Sequence, residues 1–415
     1  VRTAGEYKSI SYEYTGPAHL SIGQEAAAVG QAFLLNQDDF IFGSHRSHGE
    51  IIAKGMSAIR KLADIKLAEI MESFFDGAIL KVIEENLSHD SIKAKALDFF
   101  LYGVTAELFG RKKGFAKGLG NSMHAFFTPF GIYPNNAIVG GSGPIALGAA
   151  LYKKVNKKKG IVVANLGDGS LGCGPVWESM NMSAMGQFKN LWPDDYKGGL
   201  PIIFNFVNNH YGMGGQTQGE TMSFEALARV GAGINPEQMH AERVDGFNPL
   251  AVIDAMKRKL QLLHKGQGPV LLDVITYRYT GHSPSDAETY RTKEELQAWK
   301  RIDPIETFRK DLIYTNIALK EELDDIVRTS QELILKIYKL ARDERISPRM
   351  DLKKNPNLIG NLMFSNKRIE KMENRECEVL TPKADNPRIQ QLKHKSRFAI
   401  KEGKPISKIK AYQIR

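Results

Sequence analysis

The sequence predicts an α/β protein with a doubly wound, mainly parallel sheet and helical insertions. Three observations carry this. Apolar runs recur over residues 161–166, 202–207 and 270–277, short enough for strands buried on both faces. Helix-period segments lie between them, the alternation from which parallel sheets are built. Two of the runs also close on oxygen-bearing side chains, at Gly167-Asp168-Gly169 and at Asn208-Asn209. The carboxyl ends of parallel strands are where such sheets bind ligands.

In chain order, Ser21-Ile22-Gly23-Gln24-Glu25 and the alanine-rich run behind it open the first helix. Residues 57–109 place Ile59, Leu62, Ile65, Leu97, Phe100, Leu101, Val104 and Leu108 at helical spacing. That spacing predicts a helical hairpin with an exposed tip near Ser88-His89-Asp90. A glycine-rich loop follows over 110–120, and Ile138-Val139-Gly140-Gly141-Ser142-Gly143-Pro144 leads into a small-residue helix through Ala150. Strand 161–166, helix 176–185, strand 202–207, helix 224–228, a short strand at Arg243-Val244, helix 249–264 and strand 270–277 complete the alternation. Beyond Asp303-Pro304, Leu323, Ile326, Val327, Ile334, Ile337 and Tyr338 mark a last amphipathic helix, ended by Ser347-Pro348. Residues 351–389 are polar and weakly patterned, and there is no internal repeat. The expected division is a domain over 1–348 and a basic linker over 349–415.

With 415 residues, 42% of them hydrophobic and 25% charged, the chain is long enough to bury a large core. No apolar run approaches the roughly 18 residues of a membrane span, and no basic and apolar signal segment opens the chain, so a cytoplasmic protein is expected. Cys173 and Cys377 lie far apart, outside any disulfide or metal-ligand spacing, and read as reduced thiols. The formal net charge of +10 is local: residues 341–415 hold 19 Lys+Arg against 9 Asp+Glu, which leaves 38 of each before them. An excess confined to a weakly patterned segment reads as a linker, not as a nucleic-acid surface.

Asp168 follows an apolar strand between two glycines, which allow a ligand to approach the backbone closely. Magnesium takes near-octahedral oxygen ligands and keeps waters and phosphate oxygens, so a carboxylate, an amide oxygen and a main-chain carbonyl make a credible protein share. Asp168, Asn209 and the Tyr211 carbonyl supply that set. Gly-Asp-Gly alone is more often a turn, and Asn-Asn alone has the same reading. Their occurrence after two successive strands tips the balance towards a magnesium and diphosphate site.

Gly-Asp-Gly, a spacer and Asn-Asn together resemble the thiamine diphosphate motif. From Ile22 to about Pro348 the chain is similar to the alpha subunit of the decarboxylating component of 2-oxo acid dehydrogenase complexes, the pyruvate and acetoin dehydrogenase group. Ser21-Ile22-Gly23-Gln24-Glu25-Ala26, Ser44-His45-Arg46-Ser47-His48-Gly49, Gly120-Asn121-Ser122-Met123-His124, Ile138-Val139-Gly140 and Tyr277-Arg278-Tyr279-Thr280-Gly281-His282-Ser283 fall in that family's order. The resemblance implies a thiamine diphosphate-binding fold with cofactor contacts from Gly167, Asp168, Gly169, Ser170 and Asn209. It further implies Arg46 and Arg278 on the diphosphate, as suits arginine's planar fork. The main chain of Ile138 and Val139 would meet the aminopyrimidine ring, and His282 would be an active-site histidine. His45, His48 and His124 divide between site and structural roles, with His48 read beside His282 as catalytic.

The same resemblance implies oxidative decarboxylation of a small 2-oxo acid, or cleavage of acetoin, with acyl transfer to a lipoyl-bearing acyltransferase in an alpha2beta2-type assembly. The glutamate that activates the aminopyrimidine would come from a beta subunit. A transketolase-like transferase and a non-catalytic scaffold are the alternatives. Four departures stand out. Thirty-eight residues separate Gly169 from Asn208, with the excess at 186–199, and a helical insertion falls near 57–100. His45 stands where pyruvate-type members often have tyrosine and acetoin-type members have histidine. Finally, the chain runs on to Ile409-Lys410-Ala411-Tyr412-Gln413-Ile414-Arg415, an ending similar to the entry of a beta subunit, so an alpha-beta fusion is expected.

Overall fold

The structure, a computed structural model, describes residues 3–7, 10–14, 16–237, 239–351, 353, 354, 356, 384 and 385. Residues Val1–Met350 form one compact unit. Nearly all of the basic linker, including Cys377 and the ending expected to enter a beta region, lies outside the described residues.

Strands β1 (Thr3–Tyr7) and β2 (Ile10–Tyr14) form an antiparallel pair. The main sheet has the order β4-β3-β5-β6-β8-β7 and is parallel throughout, with β3 at Phe40–Ser44, β4 at Ile132–Asn136, β5 at Val162–Gly167, β6 at Ile202–Asn208, β7 at His240–Asp245 and β8 at Val270–Ile275. Period-two alternation sends Val162, Ala164 and Leu166 to one face with Ile202, Phe204 and Phe206. Helices Ser142–Val155 and Gly174–Ser183 cover that face through Ala146, Leu147, Ala150, Val176 and Met180. Val163, Ile203 and Leu272 point the other way, against Ala27 of helix Glu25–Phe33 and Val252, Met256 and Leu260 of helix Pro249–His264. This is the expected doubly wound sandwich.

The edges depart from expectation. β3 and β4 carry no strong strand signal, since each is five residues long and β4 contains Pro134. Proline is tolerated there because β4 is an edge strand. Residues 224–228 are not the expected helix, 225–228 being bends and turns, and the helix there spans Arg229–Ile234. The Ala228 N–H, at the start of that helix, donates to Asp273 Oδ2 of β8 at 3.2 Å. The last helix, Lys320–Arg342, stops before Ser347-Pro348. Ser347 turns back to donate from Oγ to the Leu340 carbonyl, 2.8 Å away, and to meet the Tyr102 hydroxyl.

The expected hairpin over 57–109 is four helices: His48–Lys61, Asp64–Ser73, Ala78–Asn86 and Ile92–Leu108. Phe75, Asp76 and Gly77 adopt left-handed backbone angles between the second and third, a break that helical spacing does not reveal. Ser88 and Asp90 are exposed as the tip, but His89 is turned inward, with Nε2 2.9 Å from Asp98 Oδ2. Phe74, Phe99, Phe100, Phe115, Phe127 and Phe130 pack beneath these helices. Gly103 lets them close: a Cβ there would lie 2.2 Å from the Phe115 ring. Gly103→Ala should therefore lower unfolding free energy by about 1–3 kcal/mol, measured by urea denaturation.

Candidate active site

In the main sheet the chain leaves β3 towards β4 on one side and returns to β5 on the other, so β3 and β5 flank the switch point. Crevices outside the carboxyl ends of strands at such a point are where open α/β sheets bind ligands. His45 and Arg46 follow β3, Ile138 and Val139 follow β4, Asp168 follows β5, Asn209 and Tyr211 follow β6, and Arg278 and His282 follow β8. All nine line one cavity of about 350 Å³. Gly167 also lines it, and a Cβ on Gly167 would meet nothing within 4 Å, so its missing side chain leaves the wall open to a ligand.

Asp168 is buried and accepts a 2.5 Å hydrogen bond from Thr217 Oγ1. Burial pushes its carboxyl up to about 6, against the pull of Thr217 and of nearby main-chain N–H groups. Asn209 sits on the neighbouring strand end, its Nδ2 donating to Gln24 Oε1 at 3.3 Å while its Oδ1 accepts from Tyr211 N–H at 3.2 Å. The Tyr211 carbonyl faces Arg278 Nη1 at 3.4 Å. Ser170 donates from Oγ to the Gly167 carbonyl and closes the turn after β5.

Two guanidinium groups border the same cavity. Arg278 is 1% exposed and donates to the Thr280 carbonyl at 3.0 Å and to Tyr290 Oη at 2.7 Å. Arg46 is 7% exposed and donates to the carbonyls of Leu20 and His282, both at 2.9 Å. Among the described residues neither has a carboxylate within ion-pair distance. Burial, and then the charge of Arg278, lower the Arg46 group to about 9, still protonated at neutral pH. Buried cations without an acid are costly unless an anion arrives. Two of them beside a buried acid fit a polyanion bridged by a metal.

Three imidazoles crowd the mouth: His19 and His45 lie 4.5 Å apart between ring centres, and His282 lies 5.0 and 5.4 Å from them. Burial lowers all three, to about 4, 3 and 4 for His19, His45 and His282, with Arg46 the next cause in each. They are neutral donors and acceptors at pH 7. Their ligand atoms lie within 4.8 Å of one another, but Arg46 and Arg278 oppose a cation there. His282 is fixed by its N–H to Asp286 Oδ2 at 2.6 Å.

Other predicted residues sit elsewhere or are already engaged. His48 does not line the cavity, and its Nε2 lies 2.8 Å from the Ser122 carbonyl. His124 Nδ1 lies 3.0 Å from the Asn135 carbonyl. Ile138 uses its N–H on Asn136 Oδ1 and its carbonyl on Gly141 N–H, which leaves Val139 as the segment's freer main chain. The side chains of both are exposed.

Sequence reasoning missed His19, Gln24, Glu50 and Thr217. Gln24 lay inside a quoted motif without a role, and His19 just before it. Glu50 lines the cavity with its carboxyl raised to about 7 by burial. Thr217 carries no sequence signal, because only the fold of the glycine-rich loop brings it to Asp168.

A parallel sheet whose strand ends gather a buried acid, an amide and two arginines with no ion-pair acid among the described residues fits an α/β protein with an anion-binding crevice. The chain belongs to the dehydrogenase E1 component family, which it matches over residues 4–72 and 89–349. It is 28% identical over 340 residues to the pyruvate dehydrogenase E1 component subunit alpha of Rickettsia bellii, covering 82% of this chain and 86% of that protein. The subunit of the same name from Zymomonas mobilis is 34% identical over 317 residues, covering 75% of this chain and 73% of that protein. The somatic, mitochondrial form from Homo sapiens is 33% identical over 313 residues, covering 75% and 64%. The resemblance to the alpha subunit of a thiamine diphosphate-dependent 2-oxo acid dehydrogenase, an oxidoreductase acting on an oxo group, is thereby supported. Residues 73–88, which hold the Phe75–Gly77 turn and helix Ala78–Asn86, fall outside the match and narrow the insertion expected near 57–100. No described helix is long and apolar enough to cross a membrane.

Proposed function

We propose that this chain holds thiamine diphosphate through a magnesium ion and, with a beta partner, decarboxylates a small 2-oxo acid and passes the acyl group to a lipoyl-bearing acyltransferase. One observation carries the reading: a buried acid and two buried arginines, which have no ion-pair acid among the described residues, share a single cavity at the carboxyl ends of the strands. Asp168, Asn209 and the Tyr211 carbonyl are the metal ligands, and Arg46 and Arg278 take the diphosphate charge. When bound, the cofactor supplies the electron sink that loss of carbon dioxide requires. Neutral His282 and His45 can accept a proton, or donate a hydrogen bond, at the mouth. The names of the relatives favour pyruvate, whereas His45 keeps acetoin as a second substrate. The exposed apolar side chains of Ile138 and Val139 at the cavity, 73% and 54% accessible, favour a covering partner that completes the ring-activating site.

The carboxyl of Asp168 gives the reading a pH signature. A protonated acid does not ligate magnesium, so affinity for the cofactor with magnesium should be level near neutrality and fall about tenfold per pH unit below about 6. In the cofactor-free chain the sign reverses. The folded carboxyl is raised above its unfolded value, so its contribution to stability is present at low pH and is lost as pH rises through about 6. Isothermal titration calorimetry across this range tests both affinity and profile. No binding near neutrality, or affinity that ignores pH below 6, would contradict the proposal.

A further inference from the structure

Tyr211 joins the two sides of the site. Its N–H orients the Asn209 side-chain oxygen at 3.2 Å, and its carbonyl faces the cavity wall beside Arg278. Its ring points away, towards helix Lys293–Arg301. There the Tyr211 hydroxyl lies 2.7 and 2.8 Å from the two oxygens of Glu295. The Tyr277 hydroxyl donates to the same carboxylate at 3.1 Å. Glu295 is itself held in the first turn of its helix, its N–H donated to Thr292 Oγ1 at 3.1 Å. Arg291 closes the cluster: its guanidinium lies over the rings of Tyr277 and Tyr211 at 5.2 and 5.9 Å, and its Nη1 donates to the Arg278 carbonyl at 2.5 Å.

We infer that Glu295 is a positioning residue: by clamping the Tyr211 hydroxyl it fixes the segment whose carbonyl and N–H set two of the three protein oxygens for the metal. This rests on the proposed magnesium site. Tyrosine is needed for a physical reason. The residue is tied at one end to Asn209 and at the other to a helix, so the carbonyl between them has little freedom. His210, immediately before it, adopts a left-handed φ of 70°, a conformation that needs such restraint. Outer groups that orient ligands in this way commonly govern metal affinity tenfold or more.

The test is Mn2+ titration of the full-length chain with thiamine diphosphate, free Mn2+ being read by electron paramagnetic resonance. Glu295→Ala should weaken Mn2+ binding about tenfold, and Tyr211→Phe should match it. The double variant should bind no more weakly than either single one, because both remove the same contact. Glu295→Gln, which keeps an acceptor for the hydroxyl, should recover most of the affinity. Asp168→Asn separates the two levels of the claim. If it abolishes binding while Glu295→Ala binds like the unaltered chain, the positioning role is wrong and the metal site stands. If Asp168→Asn itself binds normally, the metal assignment falls first. A lowered unfolding temperature for Glu295→Ala with unchanged Mn2+ affinity would make Glu295 structural only and overturn the inference.

Discussion

Asp168→Asn is expected to weaken magnesium-dependent binding of thiamine diphosphate by more than about a hundredfold, beyond what losing an outer hydrogen-bond partner costs. The amide keeps the shape of the carboxyl and can still accept from Thr217 Oγ1, so the cavity should not collapse. What it removes is the negative charge that a hard dication needs. The cofactor-free variant should be no less stable than the unaltered chain, because burial already disfavours the ionised acid. Calorimetric titration together with thermal unfolding reads both. Loss of affinity with equal or higher stability identifies a residue kept for its ligand and not for the fold. A fall in both would mark Asp168 as structural.

Arg46→Met should cost about a hundredfold in affinity for the cofactor, since a bidentate, charge-assisted contact with phosphate is lost. The variant also has a readout in the absence of any ligand. Arg46 is the second cause, after burial, of the lowered His19, His45 and His282 groups. Removing its positive charge should move all three histidine titrations upward, as followed by nuclear magnetic resonance of the ring protons. Unmoved histidines would mean that the Arg46 charge does not act on the three rings. The charge of Arg278 also lowers the Arg46 group, a cost that an anion bound between the two would offset.

The centre of the fold was legible because its strands are simple. β5, β6 and β8 are buried on both faces, and their apolar runs are interrupted only where Asn165, Asn205 and Asp273 meet polar partners. The edges were not legible. Pro134 in β4 disguises an edge strand, and the helix expected at 224–228 starts only at Arg229, where Ala228 meets Asp273, 45 residues away in sequence. The break at Phe75–Gly77 is a run of left-handed backbone angles next to Phe74, whose ring packs on the distant Phe115 and Phe127, and spacing does not encode such contacts.

The site divides in the same way. Asp168, Asn209, Arg46, Arg278 and His282 stand in compact motifs at strand ends, so sequence order carried them to one cavity. Thr217 and Glu295 meet these segments from far along the chain. Thr217 reaches Asp168 from 49 residues away, and Glu295 reaches Tyr211 from 84. His48 shows the converse, a histidine within a motif whose ring turns to the Ser122 carbonyl and away from the cavity.

A crystal structure of the full-length chain with thiamine diphosphate and magnesium tests the central claim most directly. The account predicts one metal ion about 2.0–2.1 Å from oxygens of Asp168, Asn209 and the Tyr211 main chain, with the diphosphate between Arg46 and Arg278. A diphosphate bound elsewhere, or a metal ion without Asp168 among its ligands, would contradict it.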